Sequence, residues 1–126
     1  MSALRLLAVG ALVAVLTAAS AAAAPRQPAR LQVTADEFHL VLSRSAVRAG
    51  PAIVGLVNFG EDDHDLALRR RAAGARTWKV RTVEPGGFRE RQLRLAAGRY
   101  QLWCTIADHR ALGMRATLRV RPPQPR

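Results

Sequence analysis

One cysteine, Cys104, stands in 126 residues. A lone thiol closes no internal disulfide, so the chain is not a disulfide-stapled exported domain. It also excludes an iron–sulfur cluster, which takes several Cys, and the C-x-x-C-H attachment of a c-type haem is missing. Lysine is as scarce: Lys79 is the only one, and Arg carries nearly all the positive charge. No stretch holds a helical period of useful length. The acidic run Glu61-Asp62-Asp63 lacks EF-hand spacing and a distal Glu, which argues against calcium and for a solvated loop. Ser43 and Ser45 have no base at readable spacing, so a Ser hydrolase is not supported.

The first residues have a different character. Met1 to Arg5 carries one positive charge, Leu6 to Thr17 is almost wholly apolar, and Ala18 to Ala24 is a run of small residues. This is the pattern of a secretory signal, expected over residues 1–24 and cleaved near Ala23. The competing reading is a retained anchor, because the apolar stretch reaches spanning length. No Cys lies near the cut, which excludes lipoprotein anchoring. Export places the protein in the periplasm or outside the cell. Residues 25–30 read as a flexible lead-in, 31–121 as one small domain, and 122–126 as a Pro-rich tail.

Removing Arg5 with the signal leaves 19 Lys+Arg against 9 Asp+Glu, a formal charge of +10. Such a surface attracts anionic lipid or acidic protein partners. Nucleic acid is not expected as a partner: the protein is exported, and it has no helix-turn-helix, RRM or zinc-finger pattern.

Between lead-in and tail the chain reads as strands. In "EFHLVLS" Phe38, Leu40 and Leu42 share one face, with Glu37, His39 and Val41 on the other. "AIVGLVN" is rich in β-branched residues, and Gly55 suggests a bulge. "DLALR", "TWKVRTV", "FRERQLRL", "YQLWC" and "RATLRV" follow, divided by Gly and Pro turns. Short strands at this spacing predict an all-β, Greek-key β-sandwich. Trp78 and Trp103 are expected in core or inter-sheet packing, His39 on the surface, and Arg69-Arg70-Arg71 in a solvated loop.

The lone Cys104 precedes His109 by five residues and Met114 by ten, in a segment between the last two strands. Loops held at both ends by a rigid sheet pair carry function. His64 ends the loop "NFGEDDH" and supplies a second imidazole. One thiolate, two imidazoles and one thioether form a soft donor set suited to copper. Zinc prefers four ligands of Cys, His or carboxylate type and rarely takes Met.

These residues carry a resemblance. The matches are Val57-Asn58 with Gly60, His64-Asp65, Tyr100 to Cys104, Thr105 to His109, Gly113-Met114 and Thr117 to Val120, with "ADEFHLVLS" upstream. The chain resembles the cupredoxins, the blue-copper family of plastocyanins and azurins. The resemblance implies one mononuclear copper held by His64, Cys104, His109 and Met114. It implies outer-sphere electron transfer by Cu(II)/Cu(I) cycling, with His109 as the electron port and Ala111 and Leu112 on an apolar rim. Arg110 and Arg115 would steer a redox partner that is acidic or lies at an anionic membrane surface. No substrate position or acid–base pair is found, so an enzyme is not expected, and a monomer is. The alternative function is a copper carrier that delivers the ion to another protein; a third is a binding module with incidental copper. The chain departs from the family in Ala107-Asp108 before the loop His, Ala116 after the Met, and Asp65 where Asn often follows the upstream His. Asp65 accepts hydrogen bonds only, and backbone N–H groups are its expected partners.

Overall fold

The computed structural model describes residues 14–125. The expected signal segment begins in residues that lie outside those described. The elements are β1 (Ala29–Asp36), β2 (His39–Leu42), β3 (Ala46–Arg48), β4 (Gly50–Asn58), β5 (His64–Arg70), β6 (Thr77–Val83), β7 (Phe88–Leu95), β8 (Gly98–Trp103), α1 (His109–Leu112) and β9 (Arg115–Arg121). They form two sheets, in the orders β2-β1-β4-β7 and β3-β9-β8-β5-β6. The connections β2→β3, β3→β4, β4→β5, β6→β7 and β7→β8 pass from one sheet to the other.

Alternation drives the layering. In β1, Leu31, Val33 and Ala35 are buried while Arg30, Gln32 and Asp36 are exposed. Leu56, Leu66, Leu68, Leu102 and Leu118 come from both sheets and are fully buried. Each contributes about 1.5–3 kcal/mol by leaving water. Tyr100 joins this core, and its hydroxyl donates to the Ala96 carbonyl at 3.0 Å.

β1 begins at Ala29 and pairs in parallel with β4 from Ala29↔Ala52 onward. Two expectations need correction. Gly55 marks no bulge. The β4–β7 register is unbroken there, and a Cβ on Gly55 would lie 2.8 Å from the Phe88 ring, so the glycine makes room for that ring. The irregularity sits instead between His64 and Leu66 on β5. Trp78 is half-buried and packs against the core on the inner face, opposite Leu68, as expected, whereas Trp103 is half-buried on the outer face beside Ala67. Arg76 and Arg91 stack on Trp78, and Arg110 stacks on Trp103.

Strand direction positions the rest. β1, β4, β6 and β8 end at one pole, where β2, β5, β7 and β9 begin. The loops bearing His64 and Cys104 to Met114 meet at that pole.

Candidate metal centre

His64 opens β5 directly after the loop 59–63. Two side chains hold this loop. Asn58, fully buried at the end of β4, donates from Nδ2 to the carbonyls of Asp62 (2.7 Å) and Val83 (2.9 Å). Its Oδ1 accepts the Gly60 N–H at 2.8 Å. Glu37, in the β1–β2 turn, accepts the N–H groups of Glu61 and Asp62 and takes His64 Nε2 at 2.8 Å. A Cβ at position 60 would collide with that carboxylate, so only glycine admits it.

The second loop is tied across its neck. The Cys104 N–H donates to the Met114 carbonyl (3.1 Å), and the Met114 N–H to the His109 carbonyl (3.0 Å). Between them α1 makes a single turn, which the sequence reading did not anticipate. It ends at Gly113, whose φ of 133° and close approach to the Phe38 carbonyl exclude a side chain. Asp65 joins the two loops: Oδ1 accepts the Thr105 N–H at 2.6 Å, and Oδ2 accepts the Thr105 hydroxyl. Lys79 pairs with the same carboxylate at 3.3 Å. The backbone donor expected for Asp65 is therefore Thr105.

Donor atoms of His64, Cys104 and His109 come within 4.8 Å of one another, and all three residues are buried. Met114 is also buried and adjoins them through its backbone. Cys104 Sγ and His109 Nδ1 are 3.7 Å apart. With bonds of about 2.0 Å to nitrogen and about 2.3 Å to sulfur, a trigonal ion sets such donors about 3.7 Å apart. His64 Nδ1 is the one buried side-chain nitrogen or oxygen without a partner among the described residues. A buried acceptor with no donor is costly, and a cation removes that cost. The donor set therefore fits a single soft or borderline metal ion.

Electrostatics reinforce this. The amides of Asp62 and Glu61 hold the Glu37 carboxyl down to about 2, against a smaller effect of burial, with His64 adding to the shift. The ionised carboxylate can only accept, so His64 carries its proton on Nε2 and turns a lone pair at Nδ1 to the cluster. Burial pushes the Cys104 thiol up, and the Asp65 charge adds to this, while the amides of Asp65 and Ile106 pull it back. Burial works against the charge on Asp65, but the Thr105 hydrogen bonds and Lys79 outweigh it and hold it below the usual range.

Known structures share this frame. An auracyanin from Roseiflexus castenholzii superposes with a TM-score of 0.63 at 17% identity, covering 74% of this chain and 97% of its own. Auracyanin A of Chloroflexus aurantiacus, a "blue" copper protein, gives 0.61 at 14% identity, with 75% and 99% covered. Amicyanin from Paracoccus versutus gives 0.51 at 19% identity, with 77% and 84% covered. The fold is that of a cupredoxin. No protein-family model matches the chain, and no curated protein does.

On this cupredoxin frame His109 is the donor nearest solvent, its side chain 9% exposed. Its ring lies 5.0 Å from Phe38 and 5.1 Å from His64. Leu112, 52% exposed, and Ala111 lie beside it, where the apolar rim was expected. Arg110 and Arg115 are exposed, and two carboxylates also stand near His109. Asp62 Oδ2 lies 3.8 Å from Nε2, and Asp108 precedes the ring. His39 is exposed, as expected. Arg69 and Arg70 end β5 rather than standing in a loop.

Glu37 was missed because its place in an alternating pattern read as an outward strand position. The signal for the alternative was the acidic pair Asp36-Glu37 itself, a turn composition between two apolar runs.

Proposed function

We propose that this is an exported mononuclear copper protein that acts in outer-sphere electron transfer. The reading is carried by the buried His64–Cys104–His109 cluster, with His64 Nδ1 lacking any other partner. A bound copper ion would supply one-electron Cu(II)/Cu(I) cycling, and His64, Cys104, His109 and Met114 would hold it. Both loops are fixed without the ion, by Asn58, Glu37 and Asp65. The donors are thus pre-organised, which suits an ion that changes charge with little rearrangement. His109, at the solvent edge among Leu112, Ala111 and Phe38, is the contact point for a redox protein. No acid–base pair is assigned, and the reading is not an enzymatic one.

An acidic face on the redox partner was inferred from net charge and from Arg110 and Arg115. The carboxylates around His109 favour instead a partner face that is apolar with basic groups. The carrier reading requires a readily exchanged ion, and the burial of all four donors argues against it.

The test is a visible spectrum after adding Cu(II) to the purified protein. An intense blue thiolate-to-copper band is expected, and Cys104→Ser removes it because a hydroxyl does not replace the thiolate's covalency. A band unchanged in that variant rejects the site.

A further inference from the structure

Strand direction sorts charge as well as ligands. Of the nine Asp and Glu, every one except Glu90 lies on a loop or strand end at the ligand pole. The opposite pole is where β1 and β4 start and β3, β5, β7 and β9 end. Its segments, residues 25–31, 42–52, 69–77, 93–99 and 119–126, contain no carboxylate side chain at all. Arg30, Arg44, Arg48 and Arg121 line one cleft there, and all four are exposed.

Arginine is also set against arginine. Arg48 lies directly beside Arg121 across β3 and β9, and Arg99 beside Arg119 across β8 and β9. Like charges in register across strands are destabilising. Among the described residues no arginine forms a salt bridge with a carboxylate. The pole therefore concentrates positive charge that no carboxylate among the described residues neutralises.

The chain before β1 reaches the sheet at this same pole. Gln27 and Pro28 line the arginine cleft, and Arg26 donates to the Gln124 carbonyl of the tail.

We infer that the basic pole docks on an anionic phospholipid surface. Phosphate headgroups supply the missing counter-charge over a broad face, and guanidinium groups bind phosphate well. Strands of about eight residues at about 3.3 Å each then hold the ligand pole about 25 Å from the headgroups, facing away. The inference is independent of copper.

The test uses the full chain with vesicles of phosphatidylcholine alone or mixed with phosphatidylglycerol, separated by sedimentation. Binding to the anionic vesicles is expected to exceed binding to the neutral ones at least tenfold at low salt, and to fall as salt rises. The triple variant Arg30→Glu, Arg48→Glu, Arg121→Glu is expected to lose on the order of a hundredfold, at about fivefold per arginine. The variant Arg81→Glu, Arg89→Glu, Arg115→Glu makes the same change of net charge elsewhere and is expected to lose far less. If the first set does not fold by circular dichroism, Arg→Gln at the same three positions replaces it. Equal binding to both kinds of vesicle overturns the inference, as does an equal loss in the two triple variants. So does capture on an acidic polypeptide resin without any vesicle preference, which would make the pole a protein-docking face.

Discussion

Glu37 Oε1 accepts the Nε2 proton of His64 at 2.8 Å, and that one hydrogen bond decides which nitrogen of the ring is free. The same carboxylate holds the Glu61 and Asp62 amides, so it fixes the His64 loop and the His64 tautomer together. Outer partners of this kind are worth about 10–100-fold in metal affinity. Glu37→Ala is expected to weaken copper binding toward the upper end of that range. Glu37→Gln keeps an acceptor oxygen but not the charge, so it is expected to retain more affinity and to raise the reduction potential. Titration against a chelator of known affinity and voltammetry measure the two effects. Gly60→Ala is expected to mimic Glu37→Ala, because its Cβ would occupy the carboxylate's place. An unaltered affinity and potential in Glu37→Ala would reduce the residue to a loop tie.

Asp65 links the two ligand loops through Thr105. Asp65→Ala leaves the Thr105 N–H without its acceptor and Lys79 without its partner. A cost of about 1–3 kcal/mol is expected in urea unfolding. Asp65→Asn still offers an oxygen to the Thr105 N–H, and a loss of under about 1 kcal/mol is expected. If both variants lose the same amount, the charge rather than the hydrogen bond is what the fold uses.

These two residues show what the sequence makes legible. The sandwich was readable because alternation survives wherever one face is buried, as in Leu40 and Leu42 of β2 or Leu93 and Leu95 of β7. The donors were readable because Cys, His and Met are rare and evenly spaced. β1 was partly hidden, since Arg30 and Gln32 on its outer face and Pro28 before it resemble a linker. The parallel pairing of β1 with β4 brings Asp36 beside the end of β4, and no local pattern encodes that. Glu37 follows from it: the turn it occupies reaches His64 only because β1 and β4 end together. Trp103 misled for a related reason. It stacks under the Arg110 guanidinium on an outer face, which covers it without placing it in the core.

Tyr100 gives a test away from the donors. Its hydroxyl donates to the Ala96 carbonyl, and burial raises its pKa above 10.0. A raised pKa means that its contribution to stability is complete below the unfolded-state value. That contribution is lost as pH climbs through the folded-state value, because the unfolded chain releases the proton first. Tyr100→Phe is expected to cost about 0.5–1.5 kcal/mol at neutral pH, where the hydrogen bond is intact. The gap between the two proteins is expected to narrow above about pH 10. Urea midpoints across that range measure it, and a constant gap would mean that the hydroxyl does not ionise in the unfolding equilibrium.

Retention of the ion separates electron shuttle from carrier. The donors are buried on loops fixed at both ends, so copper is expected to stay bound through repeated oxidation and reduction beside a Cu(I) chelator. The blue band should return in full at each oxidation. Rapid transfer of copper to the chelator on reduction would favour the carrier.

The last expectation concerns charge at the port. The net charge is strongly positive, yet Asp62 and Asp108 stand beside His109 and the arginine-rich pole is about 25 Å away by strand length. At 0.1 M salt the Debye length is about 10 Å, so groups near the port dominate an encounter there. Electron transfer to a small cationic acceptor is expected to slow as salt rises, because screening weakens the local attraction. Transfer to an anionic acceptor is expected to show the weaker or opposite dependence. Asp62→Asn should flatten the first response, with the blue spectrum checking that His109 is undisturbed. Arg110→Glu should steepen it, although the loss of stacking on Trp103 makes the same spectral check necessary. If the anionic acceptor instead reacts faster at low salt and slows with added salt, the overall charge outweighs the local carboxylates. The redox partner would then present an acidic face.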